Sequence, residues 1–139
     1  MANKFYSFLN ITDGVDGVKD CTTIVTLSRP EMKELGEDKK VLRCAAAISN
    51  QDKVLSNALG CEITPNGDAV WVDVSFWNKN AERFQKFMGD RDKVRVVLCG
   101  RLSVRKWTVE GSERVRVQIA ASNWAGMPSS KKDEEEELY

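Results

Sequence analysis

The segment from Ala69 to Trp77 alternates between two kinds of side chain, and this alternation limits what the chain can fold into. A period of two is that of a β-strand with one face buried. One face suits a hydrophobic core and carries Val70, Val72, Val74 and Phe76. The other face carries Trp71, Asp73, Ser75 and Trp77. Outward strand faces are normally polar, so two tryptophans on this face require an explanation.

A second long strand is predicted from 94 to 108, interrupted at Gly100, because a glycine within a strand is typical of a bulge or a sharp bend. Beyond Gly100 the outward positions are Arg101, Ser103, Arg105 and Trp107. A last strand, 114 to 121, adds the outward residues Arg114, Arg116 and Gln118. Aromatic rings that stack on bases, set among guanidinium groups that contact phosphates, are what a surface for single-stranded nucleic acid requires.

Two further strands and one helix complete the regular elements. Residues 22–27 are rich in β-branched side chains and predict a strand that Arg29-Pro30 closes, and residues 41–49 predict another. Asn78 or Asn80 begins a helix that ends at Gly89. Its apolar positions follow helical spacing and are expected to plug an opening of the core: Ala81, Phe84, Phe87 and Met88.

The other segments lack a clear period. Residues 31–40 are charged and are expected to form a loop with at most one helical turn. Residues 50–68 are polar and end in Pro-Asn-Gly-Asp, which predicts a long hairpin excursion with at most a short strand near 59–63. Residues 5–11 predict a strand or arm that packs on the body through Phe5, Phe8 and Ile11.

Five strands with one short helix between the third and the fourth is the order of the oligonucleotide-binding (OB) fold, a small Greek-key barrel of the all-β class. Three parts of the chain follow from this interpretation. Residues 1–21 form an N-terminal strand or arm, residues 22–124 form the barrel domain, and residues 125–139 form a flexible tail, since their Gly-Met-Pro-Ser-Ser opening and charge run cannot build a core.

The composition excludes several classes of function. The 139 residues suffice for one domain and include no histidine, the commonest general base and metal ligand. The four cysteines form no Cys-x-x-Cys pair and are expected to be reduced and buried. We therefore expect no enzymatic activity, no metal and no other cofactor. No apolar run approaches the roughly 20 residues of a membrane span and no secretory signal is evident, so a cytoplasmic location is expected.

The formal net charge of zero hides a separation of charge. Residues 1–132 contain 21 basic and 16 acidic side chains and carry +5, and residues 133–139 carry −5. The tail ends in an aliphatic and an aromatic residue, a combination typical of a short peptide ligand, although a solubilising role is the simpler alternative. The predicted partner-binding residues are Asp133, Glu134, Glu135, Glu136, Glu137, Leu138 and Tyr139.

Three segments resemble the bacterial and phage single-stranded DNA-binding proteins. Residues 76–82, Phe-Trp-Asn-Lys-Asn-Ala-Glu, and residues 100–108, Gly-Arg-Leu-Ser-Val-Arg-Lys-Trp-Thr, carry the resemblance, and residues 27–31 are similar to the end of that family's first strand. It covers residues 22–124. The chain departs from the family in having some twenty extra N-terminal residues, no long Gly- and Gln-rich linker, and a Glu-Leu-Tyr tip in place of an acidic run ending in Pro-Phe.

The resemblance implies stacking of DNA bases on Trp71, Trp77 and Trp107 and recruitment of replication, recombination and repair proteins by the acidic tail. It also implies a homo-oligomer, a dimer or a tetramer, associated with the nucleoid. The whole predicted nucleic-acid-binding set is Trp71, Trp77, Lys79, Arg101, Ser103, Arg105, Trp107, Arg114 and Arg116.

Several alternatives remain open at this stage. The outward tryptophans could lie under the 50–68 excursion or in a subunit contact, and the arginines could be an ordinary solvated face. The barrel could bind RNA, or its aromatic face could be an interface of a protein–protein adaptor. Trp124, at the end of the last strand, is expected to pack and not to bind.

Overall fold

A computed structural model describes residues 5–127 of the chain. Its strands are β1 (Leu9–Asp13), β2 (Lys19–Gly36), β3 (Lys39–Ser49), β4 (Ala69–Trp77), β5 (Lys93–Val109) and β6 (Ser112–Met127). A 3₁₀ turn, Val15–Gly17, joins β1 to β2. Helix α1 (Asp52–Leu59) follows β3, and helix α2 (Lys79–Met88) follows β4. The predicted tail residues 133–139 lie outside the described range.

The sheet closes into a barrel of five strands. Its strand order is β1-β2-β3-β4-β6-β5, and β2 also pairs with β5, which joins the ends of the ring. β4 and β6 are parallel, and the other pairs are antiparallel. The predicted OB barrel is confirmed as β2 to β6, with α2 between its third and fourth strands. β1 adds a sixth strand against residues 19–23 of β2.

The core forms inside the barrel and under α2. The inward residues of β4 are at most 4% exposed, as the alternation predicted. α2 closes one end of the barrel, with Phe84 stacked on Phe76 at 4.3 Å between ring centroids. Trp124 packs edge-on against both rings and is 8% exposed, so its predicted packing role is confirmed. α2 begins directly after Asn78, whose side-chain oxygen accepts a hydrogen bond from the Lys40 backbone N–H.

The prediction that Arg29-Pro30 ends its strand is wrong. β2 continues to Gly36 and pairs with the start of β3, so residues 31–36 are strand and not loop. The pairing register shifts between Ser28 and Glu31, and Arg29 adopts a positive φ of 54°. Proline has no backbone N–H to donate in strand pairing. The bulge places Pro30 at a position where the pairing requires no backbone donor.

The short strand allowed near 59–63 does not form, since residues 60–63 are irregular, and the 50–68 excursion instead contains helix α1. Leu55 of α1 is fully buried, and Ile63 beyond the helix is 6% exposed. Gly60 ends the helix with φ 69°, a left-handed conformation that glycine adopts without a steric penalty. The excursion therefore supplies core residues as well as surface.

Both ends of the domain differ from the prediction. β6 runs to Met127, so residues 125–127 belong to the barrel and not to the tail. β1 begins at Leu9, and Leu9 and Ile11 contact the core. Phe5 and Phe8 are 62% and 53% exposed and do not pack on the body as predicted. The backbone at Ser7 is nevertheless held, because its N–H donates to the Ser49 carbonyl at 3.1 Å.

The predicted irregularity at Gly100 is confirmed. The register of β5 against β6 shifts between Cys99 and Gly100. A Cβ atom at position 100 would overlap the backbone carbonyl of Ala120, so only glycine fits this crossing of the strands.

All four cysteines are free. Cys21 and Cys44 are buried, and Cys61 and Cys99 are half-buried. Burial raises the pKa of the Cys44 thiol to about 12, and burial together with Cys99 and Asp20 raises the pKa of Cys21 to about 11. Within residues 5–127 no group of histidine, cysteine or carboxylate side chains is arranged to hold a metal ion. Neither helix of that range is long and apolar enough to cross a membrane.

Candidate nucleic-acid interface

Four neighbouring strands, in the order β3-β4-β6-β5, present one continuous outward face. On β4, Trp71 lies opposite Ala47 of β3, and Asp73 lies beside Gln118 of β6. Gln118 in turn pairs with Ser103 of β5. The inward residues of the same strands fill the core, so their alternation directs every second side chain onto this face. We call it the tryptophan face. Its outward residues include Arg43, Ala47, Trp71, Asp73, Ser75, Trp77, Arg101, Ser103, Arg105, Trp107, Arg114, Arg116, Gln118 and Ala120.

The three predicted tryptophans are all exposed. Trp71, Trp77 and Trp107 are 37%, 43% and 38% exposed, large fractions for indole side chains. Trp71 and Trp77 lie six residues apart on β4, a separation of about 20 Å along an extended strand. Trp107 lies on the β5–β6 hairpin, opposite Arg114. The face thus offers three separate aromatic surfaces.

Arginine side chains lie beside two of these rings. The Arg105 guanidinium is 4.6 Å from the centroid of the Trp107 ring, and the Arg29 guanidinium is 5.8 Å from that of Trp71. Both distances are within the range of cation–π contact. Each arginine holds a positive charge next to a ring on which a base could stack. Arg29 was missed as a site residue, since Arg29-Pro30 was interpreted only as the end of a strand.

The centre of the tryptophan face carries an ion pair. Arg116 Nη2 donates to Asp73 Oδ1 at 2.8 Å, and both side chains are one-third exposed. Asp73 therefore neutralises the charge of Arg116 in this structure, and the predicted role of Arg116 in binding nucleic acid stays a prediction. Between this pair and Trp77 lies a cavity of about 200 Å³ lined by Arg43, Asp73, Ser75, Trp77, Ser103, Gln118 and Ala120.

The other predicted cations lie on or beside the tryptophan face. Arg101, Arg105 and Arg114 are exposed outward residues of β5 and β6. Lys79 is exposed at the first position of α2, two residues after Trp77, and so lies at one end of the face. Arg43 was missed by the sequence analysis, which predicted the strand at 41–49 but named no site residue on it.

The segment after α1 approaches Trp71. A cavity of about 230 Å³ beside this ring is lined by Ile63, Thr64 and Asn66 on one side and by Val115 and Arg116 of β6 on another. The alternative that Trp71 lies under the excursion is thus realised in part, since the segment borders the ring but leaves 37% of the side chain exposed.

Known proteins resemble this chain in sequence profile and in fold. Residues 24–127 match the profile of the Single-strand binding protein family. A search of curated proteins found no match. A small single-stranded DNA-binding protein from Streptomyces coelicolor has a similar structure, with a TM-score of 0.56 and 16% identity over 78% of this chain and 93% of that one. The second single-stranded DNA-binding protein (SSBb) of Mycobacterium smegmatis gives a TM-score of 0.49 and 18% identity over 77% of this chain and 86% of that one. Since the profile covers most of the sequence, the chain belongs to the Single-strand binding protein family.

Proposed function

We propose that this protein binds single-stranded DNA with little dependence on sequence, by stacking bases on Trp71, Trp77 and Trp107 while arginines contact phosphates. The observation that carries this proposal is the exposure of all three rings on one outward face of a family barrel. Every base has a π-face, so stacking tolerates any sequence. In a duplex those faces are covered by neighbouring bases, and duplex DNA should therefore bind weakly.

The charges of the face support the same function. Arg101, Arg105 and Arg114 are exposed, and no acidic side chain is recorded within salt-bridge distance of them among the described residues. Arg29 and Arg105 lie next to indole rings, which is where the phosphate next to a stacked base must pass. The energy of binding is therefore shared between aromatic contact and counterion release.

Tryptophan fluorescence provides the test. Stacking should quench the emission of the exposed indoles on titration with a mixed-sequence single strand, while the same sequence annealed to its complement should produce little change. Trp124 is buried and serves as an internal constant. Equal affinity for the two forms of DNA would reject the proposal. A matched RNA strand is the second ligand, and tighter binding to RNA would favour an RNA-binding role. An absence of binding to any strand at low salt would favour the alternative that the protein is a protein–protein adaptor.

We further propose that residues 133–139 recruit proteins of replication, recombination and repair. Five carboxylates repel phosphates, and Leu138 with Tyr139 offers apolar side chains to a partner's pocket. Deleting residues 133–139 should leave DNA affinity unchanged or higher and abolish capture of these enzymes. Loss of DNA binding on deletion, or capture of every partner by the double variant Leu138→Ala/Tyr139→Ala, would contradict this role.

Self-association into a dimer or a tetramer is also proposed, on the ground that members of the family typically form oligomers. An open barrel with unpaired strand edges would also favour self-association. Along residues 19–23, however, β1 and β5 pair with the two edges of β2. Sedimentation of the full chain at micromolar concentration measures the assembly, and a monomer would contradict the proposal.

A further inference from the structure

The segment before β1, residues 5–8, carries three exposed aromatic rings. Phe5, Tyr6 and Phe8 are 62%, 59% and 53% exposed. Within residues 5–127, none of these rings packs against another aromatic ring or has a cation over its face. Large apolar side chains grouped in water are typical of a binding site. We call residues 5–8 the aromatic arm.

The backbone of the aromatic arm is held in place although its rings are exposed. Ser7 is buried, its N–H donates to the Ser49 carbonyl at 3.1 Å, and its hydroxyl accepts from the Ser49 N–H at 2.9 Å. Gln51 Nε2 donates to the Ser7 carbonyl at 2.8 Å. Thr23 Oγ1 donates to the Phe8 carbonyl at 2.6 Å. The rings are thus presented on an ordered backbone, which lowers the entropic cost of binding a ligand.

Phe8 is directed away from the core. Its neighbours Ser7 and Leu9 are turned inward, since Ser7 is buried and Leu9 packs against the core. Successive side chains of an extended segment point to opposite sides, so Phe8 lies on the outer surface of the barrel. Tyr6, on the other side of Ser7, follows the same alternation.

The aromatic arm lies beside β3, on the edge that faces away from β4. Ser49 pairs with Ala69 of β4 on one side, and its backbone N–H and carbonyl bond to Ser7 on the other. Trp71 lies opposite Ala47, two residues before Ser49. The arm is therefore about two strand spacings, roughly 10 Å, across the sheet from Trp71. The outward side chains of β3 between them are small.

Arg29 shows that β3 does not separate these two surfaces. It lies on β2, which flanks β3 on the same side as the arm, and its guanidinium is 5.8 Å from the centroid of the Trp71 ring. A side chain from that side of β3 thus reaches Trp71 over the outside of the barrel. The outer surface is continuous from the tryptophan face to the aromatic arm.

We propose that the aromatic arm is a further stacking surface of the single-stranded DNA site, reached by the bases that follow Trp71. This inference rests on the proposed function and extends the bound strand beyond the tryptophan face. Phenylalanine and tyrosine rings stack on bases as tryptophan does. The side chains that hold the arm, Thr23, Ser49 and Gln51, are neutral, so the arm contributes stacking and no phosphate contact.

Contact between two copies of the chain is the alternative use of these rings. Three half-exposed rings provide well under the roughly 800 Å² per partner that a stable protein interface buries. Their continuity with the tryptophan face favours DNA instead.

The experiment compares mixed-sequence strands of about 6 and about 16 nucleotides, which span the range for one barrel of this fold. The double variant Tyr6→Ala/Phe8→Ala should bind the long strand at least about 5-fold more weakly than wild type, the effect of losing one stacked base. The short strand fits on the tryptophans alone, so its affinity should change by less than about 2-fold. Val15→Ala is the control, since Val15 is 80% exposed in the turn at the far end of β1. It should bind both strands as wild type does.

Two further measurements identify the cause of the loss. The slope of log affinity against log salt should be the same for the double variant as for wild type, because no phosphate contact is removed. Tyr6→Phe/Phe8→Tyr retains two rings and should restore the affinity for the long strand.

Three results would overturn the inference and leave the proposed function intact. The double variant would bind the long strand as tightly as wild type does, or it would lose affinity equally for both lengths. In the third result, the double variant would sediment as a different assembly, which would assign the arm to contact between copies. Failure of the wild type to bind either strand would instead contradict the proposed function itself.

Discussion

Trp124 and Trp107 each have an arginine over the ring at the same distance, yet they belong to different parts of the molecule. Arg83 lies 4.6 Å from the centroid of Trp124, and Arg105 lies 4.6 Å from that of Trp107. Trp124 is 8% exposed and Trp107 is 38% exposed. The cation–π pair is thus common to both sites, and it does not determine what either tryptophan does.

The surroundings of each indole explain the difference. Three phenylalanine rings surround Trp124, with centroids at 6.0, 5.3 and 5.2 Å for Phe76, Phe84 and Phe87. Arg83 completes the enclosure at the barrel end that α2 closes. Trp107 has no such neighbours among the described residues, because it lies on a hairpin that continues past the barrel. The arginine shields a core in the first case and extends a binding surface in the second.

The largest expected effect is on stability, at Trp124. Trp124→Ala should lower the free energy of unfolding by about 3 to 5 kcal/mol, since it leaves a large cavity among three aromatic rings. Trp107→Ala should change it by less than about 0.5 kcal/mol. Urea denaturation measures both. Trp124→Phe is the control and should lose less than the alanine variant, because the Trp124 indole N–H has no hydrogen-bond partner within residues 5–127. Equal losses for Trp124→Ala and Trp107→Ala would remove the distinction between the sites.

The next effect concerns DNA affinity. Alanine at Trp71, Trp77 or Trp107 should weaken binding to a single strand by about 1 to 3 kcal/mol each, the range for loss of one stacked base. Fluorescence anisotropy of a labelled strand measures this, and unchanged urea midpoints exclude unfolding as the cause. If all three variants fold and bind as the wild type does, the site lies elsewhere on the barrel.

A smaller effect separates the two arginines. Arg105→Ala should reduce the slope of log affinity against log salt by about 0.7, since one phosphate contact on a single strand is lost. Arg83→Ala should leave that slope unchanged, because Arg83 packs on Trp124 and its Nη2 donates to the Trp124 carbonyl at 3.4 Å. The same slope for Arg105→Ala as for wild type would show that Arg105 is a solvated side chain.

The smallest effect concerns the interior and pH. Burial raises the pKa of Cys44 to about 12, so the folded state favours the neutral thiol, and the unfolded state ionises at lower pH. The contribution of Cys44 is complete below the ordinary thiol pKa and is lost as pH rises towards 12. The free energy of unfolding should therefore fall above about pH 9 by less in Cys44→Ala than in wild type. An identical pH dependence of unfolding in the two proteins would contradict the raised pKa of Cys44.

Strict alternation made the tryptophan face predictable from sequence. Residues 69–77 and 101–107 place aliphatic groups inward and tryptophans with arginines outward, and the structure keeps that arrangement. Local chemistry also identified Gly100 and α2 correctly. One error occurred where the usual structural effect of a residue did not apply. Pro30 normally ends a strand, but here it sits in a bulge that the strand continues through.

Contacts between distant residues could not be predicted. Asp73 and Arg116 are separated by 43 positions, and nothing around either one indicates the other. α1 has eight residues, too few for a helix that is stable in isolation, and its stability comes from burying Leu55 in the barrel. Tertiary packing therefore determined both the helix that was missed and the ion pair at the centre of the site.

The β5–β6 hairpin has a consequence for motion. Residues 105–109 are exposed, whereas β4 is paired with β3 along its whole length and with β6 at residues 72–75. Amide hydrogens at Arg105–Val109 should therefore exchange with deuterium through local opening, long before those of β4, which need the barrel to open. Trp107 is therefore expected to be more mobile than Trp71 and Trp77 on β4. A bound DNA strand should slow amide exchange in the hairpin more than anywhere else on the tryptophan face.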